Sequence, residues 1–211
     1  MVPPAQFRSY YGRPVLKQPT WKPLDIAGYL FLGGLAGASS TLAAAAELSG
    51  RRVPAKRGKV AALAAISLGT VGLVHDLGRP ARFANMLRVM KPTSPMSVGS
   101  WLLSAYGPAT GVAAATSVFG RLPRLGRAAT VGAGTLGPAV AAYTSVLVAD
   151  TAAPAWHDAR RELPFIFVGS AAAAAGGLAL VTTPIGQSGP ATRVAIAGAA
   201  TELAGVRLMK R

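Results

Sequence analysis

The sequence predicts an all-α fold, a polytopic transmembrane helical bundle of about six helices, on three observations. Of its 211 residues, 51% are hydrophobic and 14% are charged, and the mean hydropathy is +0.40. A soluble domain carries about 25% charged residues to cover its surface. The 22 basic and 7 acidic residues also fall in short clusters between long apolar runs. Those runs approach the length a helix needs, since about 20 residues rising 1.5 Å each cross a hydrocarbon core of about 30 Å.

Residues 1–24 hold Arg8, Arg13, Lys17 and Lys22 among prolines and lack a continuous apolar segment, which predicts an extended N-terminal arm rather than a signal peptide. Residues 25–211 form the transmembrane helical domain. Its first span is 26–46, 21 residues without a charge. RRVPAKRGK at 51–59 reads as a polar break, and 60–75 then supplies a second span of only 16 residues, which crosses with Lys59 held at the interface. A segment with Arg79, Arg82, Arg88 and Lys91 precedes span three at 98–119. After a basic turn at 120–127, span four covers 128–149, with Pro138 expected to kink or loosen it. A mixed-charge connection at 150–162 leads to span five at 163–183. The break TPIGQSGPATR then precedes span six at 194–208, the weakest, because it is short and carries Glu202.

The formal charge of +15 raises the question of a nucleic-acid partner, but so apolar a chain leaves too little polar surface for a phosphate-tracking groove. The charge is loop charge instead. Its density in the short segments RRVPAKRGK and RLPRLGR places their side of the membrane at the cytoplasm. With no cysteine and two histidines, the chain is expected to bind no metal: it supplies no thiolate ligands and no three-histidine site. GGLAG at 33–37, GTVG at 69–72, GAGTLG at 132–137 and AAAAAGG at 171–177 read as small faces for close helix packing, not as nucleotide fingerprints.

The chemistry concentrates on one side. Both histidines begin the same dipeptide, His75-Asp76 after span two and His157-Asp158 between spans four and five, and six-span counting puts both on one membrane face. Imidazole ordinarily titrates near neutrality, and a carboxylate beside it can fix its tautomer, so each pair is a candidate for proton exchange. The competing reading of the first is a basic interfacial loop. Asp150, at the end of span four, is the best intramembrane proton-handling candidate, because an acid there faces protein or water rather than lipid; a helix cap or an ion pair with Arg160 or Arg161 is its plainer reading. Glu47 and Glu202 read as interfacial charges or interhelix partners.

HDLGRPARFANMLRVMKPTSPMSVGSW at 75–101, YLFLGGLAG at 29–37 and WHDARRELPFIFVGSA at 156–171 closely resemble the NrfD/polysulfide reductase membrane-subunit family. The resemblance implies a quinone-interacting integral membrane subunit of an oxidoreductase complex in a prokaryotic inner or plasma membrane. Its cofactor would be a quinone or quinol, menaquinone or ubiquinone. Its partners would be membrane lipid, an iron-sulfur electron-transfer subunit and a molybdopterin catalytic subunit. His75 or His157 would hydrogen-bond the headgroup, Asp76, Asp150 or Asp158 would conduct protons, and Arg79, Arg82, Arg88 and Lys91 would dock the iron-sulfur partner. Family members have about eight or more membrane helices, so six spans predict a bundle incomplete relative to the family. The alternatives are a structural membrane anchor without quinone chemistry and an ion-coupled transporter using Asp150 and Glu202.

Overall fold

The computed structural model describes residues 11, 21–79, 81–151 and 153–209. Most of the expected arm, with Arg8, Arg13 and Lys17, lies outside the described residues. The order is α1 (Pro23–Leu48), α2 (Arg52–Asp76), α3 (Ala81–Met86), α4 (Pro95–Phe119), α5 (Pro123–Ala149), α6 (Pro154–Asp158), α7 (Leu163–Thr182), a 3₁₀ turn (Ile185–Gln187) and α8 (Gly189–Met209). No strand occurs among the described residues.

Six of these helices are long, one for each expected span. α1, α2, α5 and α7 are long and apolar enough to cross a membrane. α4, 25 residues without a charge but diluted by Gly, Ser, Thr and Pro, is less apolar, as is α8 with Arg193, Glu202 and Arg207.

The connections are shorter than the charge pattern predicts. Most of RRVPAKRGK is not a break: from Arg52 onward it forms the first two turns of α2, making that helix 25 residues long. Pro54 is tolerated there because first-turn N–H groups have no helical acceptor. Likewise the basic turn shrinks to Gly120–Leu122, with Pro123 opening α5 and Gly120 capping α4 at φ 67°. Helix α8 begins at Gly189, inside the expected break. Helix α5 runs through Pro138 without interruption.

Helix α1 is the hub. It packs antiparallel to α2 and α5 and alongside α7, while α4 lies on α5 and α2, and α8 lies on α7. Tyr29, Ala36, Ala65, Ile66, Leu103, Tyr106, Ala133 and Val140 form the main core. The small faces permit this closeness: a Cβ on Gly37 or Gly137 would collide with the other's carbonyl oxygen, and α7 meets α8 the same way at Gly169 and Gly198. Phe31, Leu68, Val71, Val181, Ile196 and Leu203 are exposed on the outside, where lipid would cover them. Buried hydroxyls bond back within their own helices, as Thr110 Oγ1 to Tyr106 O at 3.1 Å and Thr130 Oγ1 to Gly126 O at 2.6 Å. Further hydroxyls, buried or not, cross between helices: Ser40 Oγ lies 2.7 Å from Tyr106 Oη, and Thr41 Oγ1 donates to Gly134 O at 3.1 Å.

Candidate functional site

Alternation of the helices brings the start of α1 and the ends of α2 and α5 to one end of the bundle, together with α3, α6 and the starts of α4 and α7. Both histidines lie there. Asp25 stands in the first turn of α1 and His75 in the last turn of α2, where the helix dipoles favour an acid and a base respectively. Their side chains meet: Asp25 Oδ2 is 2.7 Å from His75 Nδ1. The backbone N–H of Lys22 donates to Asp76 Oδ1 at 2.9 Å, its Nζ donates to the His75 carbonyl at 3.3 Å, and the same Nζ is 3.9 Å from Asp25 Oδ2. Lys22, Asp25, His75 and Asp76 are thus one network.

His75 is therefore paired, but not with Asp76. Adjacent helical residues point about 100° apart and do not face each other, so the partner comes from the neighbouring helix. Asp25 carries 19% side-chain exposure against 68% for His75, so the carboxylate is sheltered and the imidazole reaches outward. Tyr29, four residues on from Asp25 and on the same face of α1, is 1% exposed, and its hydroxyl has no hydrogen-bond partner among the described residues. Neither Asp25 nor Tyr29 stood out in the sequence. The available signal was an acid opening an apolar span at the end where the histidines emerge.

The second dipeptide builds a separate group. Asp150 is the residue after α5, its backbone N–H bonded to Val146 O at 3.0 Å, and its exposed carboxylate makes neither a cap nor an ion pair with Arg160 or Arg161. His157, on the short α6, places Nδ1 3.2 Å from Ala149 O rather than on Asp158. Asp158 is exposed, without a side-chain partner among the described residues. The structure brings His75 and Asp76 into one network and leaves Asp150, His157 and Asp158 outside it.

Arg79, Arg82, Arg88 and Lys91 are all exposed on the segment between α2 and α4, with Arg82 Nη1 donating to Leu77 O at 2.9 Å. In the same half of the bundle, a cavity of about 220 Å³ between α1, α5, α7 and α8 is lined by Leu30, Phe31, Phe167, Ser170 and the carboxylate-bearing Glu202, among others, and by none of the five candidate proton-handling residues.

No curated protein matches the chain. A family profile described as polysulphide reductase, NrfD, matches residues 16–196, from the end of the arm into α8. Proteins of that family are membrane subunits of oxidoreductase complexes, generally associated with iron-sulfur and molybdenum enzyme subunits. A multi-helix membrane bundle with both histidines at one end, matched over most of its length by that profile, belongs to the NrfD/polysulphide reductase family.

Proposed function

We propose that this chain is the quinone-interacting membrane subunit of its complex, exchanging electrons with a partner iron-sulfur subunit, and that the quinone headgroup binds at the histidine end beside Asp25 and His75. The observation that supports this reading is the interhelical pair itself, Asp25 Oδ2 to His75 Nδ1 at 2.7 Å, where two helices apolar enough to cross a membrane end side by side. A quinone supplies two-electron, two-proton redox chemistry in the membrane, and this chain's residues must hold its carbonyl oxygens and move its protons. The residues present fit. Among the described residues the buried Tyr29 hydroxyl has no hydrogen-bond partner and His75 bonds through Nδ1, so each has a hydrogen bond to offer a headgroup. Asp25 on Nδ1 fixes the ring's tautomer and orientation, so the outward-reaching imidazole is held to pass a proton between the headgroup and water. Asp76, tied to Lys22, holds the two helix ends together. Asp150, His157 and Asp158 serve as a second, exposed proton exit on the same face.

The partner would dock on the exposed cations Arg79, Arg82, Arg88 and Lys91 of that same end, which keeps an iron-sulfur cluster within electron-transfer reach of the headgroup. Menaquinone or ubiquinone, in a prokaryotic plasma membrane, is the expected cofactor. The test is quinol-driven reduction of the partner's iron-sulfur signal in the intact complex. Asp25→Asn and His75→Ala should each slow it about a hundredfold without loss of assembly, the usual scale for a positioned acid-base group. Asp150→Asn and His157→Ala should slow it less. An intact complex whose rate ignores Asp25 and His75 would overturn the proposed headgroup site, and one with no quinol response at all would make the chain a structural anchor.

A further inference from the structure

The end of the bundle opposite the histidines holds a second constellation. Five of the seven acids, Asp25, Asp76, Asp150, Asp158 and Glu162, lie at the histidine end, whereas the connections and helix ends opposite carry nine Lys and Arg and the single acid Glu47. Among them, α1, α2, α4 and α5 enclose a cavity of about 650 Å³ lined by Arg52, Lys56, Lys59, Arg127, Glu47 and Thr116. Its charged lining is four cations against one carboxylate, a net of +3. Lys59 is 8% exposed and ion-pairs with Glu47 across α1 and α2, so one cation is built into the wall. The first turns of α2 and α5 also line it, adding the positive ends of two helix dipoles.

The depth of this cavity is set by the sequence. Glu47 directly follows the charge-free part of α1, while Lys59 and Arg127 directly precede the charge-free parts of α2 and α5. Residues at those boundaries sit where hydrocarbon gives way to headgroups. The volume lies within the range of about 300–1,000 Å³ usual for ligand sites, and the one carboxylate is already neutralised by Lys59. What remains unbalanced is positive.

We propose that this cavity binds a phosphate group, that of an anionic phospholipid headgroup, with Lys56 and Arg127 as its exposed clamps and the Lys59–Glu47 pair as its floor. The site is independent of quinone chemistry and lies at the other end of the bundle.

The full chain, in mild detergent with the partner subunits that copurify, is titrated with phosphatidylglycerol and phosphatidylcholine, and bound lipid is read by native mass spectrometry. Phosphatidylglycerol should be retained at least tenfold more strongly, with retention falling as salt rises. Removing two cations from a headgroup site should weaken it about 30-fold in Lys56→Gln/Arg127→Gln, while Arg160→Gln/Arg161→Gln at the other end leaves it unchanged. Competition by inorganic phosphate separates the sources: displacement of the lipid assigns the site to free phosphate, and resistance assigns it to lipid; either result supports a phosphate site. Equal retention of the two lipids, equal effects of the two charge-pair variants, or loss of a partner subunit in Lys56→Gln/Arg127→Gln with lipid binding intact would each overturn the proposal, the last by making the surface a protein interface.

Discussion

Asp25 and Asp76 show how differently two acids at one bundle end are employed. Asp76 accepts a backbone N–H from Lys22, a link that joins helix ends, whereas Asp25 is bonded to an imidazole ring. Asp76→Asn retains a carbonyl acceptor for that backbone donor, so it should change the quinol-driven rate less than tenfold, while Asp25→Asn takes the charge from His75 and gives the larger loss; the comparison of the two rates in the same complex checks this. Lys59 offers a second contrast. Breaking a buried ion pair by removing one partner leaves an uncompensated charge and costs about 3–5 kcal/mol, whereas replacing both is often nearly neutral. Glu47 keeps some contact with solvent, which moves this pair to the lower end of that range. Lys59→Met should therefore lower the melting temperature in detergent clearly, and adding Glu47→Gln should recover most of the loss. A double variant as unstable as the single one would show that the lysine's packing, not its charge, is what matters.

At the scale of elements, the helices follow from length and patterning, but their ends do not. Charge-free runs identify five of the six long helices, and a shorter apolar run around Glu202 the sixth, because an apolar stretch of this length has few alternatives to a helix in or beside lipid. The charged stretch 51–59 is helical from Arg52 rather than a break, since Arg and Lys can extend a helix beyond the hydrocarbon with their stems along the apolar surface and their heads in water. The small-residue faces were legible as packing surfaces, but which faces meet was not. Gly37 and Gly137 touch through backbone, with no room for a side chain at either. Gly37→Val or Gly137→Val should therefore destabilise the α1–α5 contact by about 1–3 kcal/mol, the usual cost of overpacking, seen as a fall in Tm of the detergent-solubilised chain. The Ser40–Tyr106 hydrogen bond between α1 and α4 is a weaker tie. A double-mutant cycle with Ser40→Ala and Tyr106→Phe should give a coupling of about 0.6 kcal/mol, the average for such bonds in membranes.

For the whole molecule, the uneven placement of acids and histidines is the organising property: both histidines and five of the seven acids lie at one end, whereas Lys and Arg are spread over both. The chain has no cysteine, so single cysteines can report this directly. In sealed vesicles, cysteines replacing Arg79 and Asp158 should label with an impermeant maleimide from one side and those replacing Arg52 and Arg127 from the other. The expected outcome, from the positive-inside bias, is labelling of the Arg52 and Arg127 positions from the cytoplasmic side. Labelling of Arg79 and Asp158 positions from opposite sides would break the six-helix alternation. Composition and the spacing of charge were enough to establish an all-helical membrane chain with both histidines on one face, because burial in lipid depends on each segment's own hydropathy and length. The partner of His75, the orphaned hydroxyl of Tyr29 and the cavity around Lys59 came only from packing, because each joins residues of different helices, and the register between two helices is decided by which small faces fit, not by either strand of sequence alone.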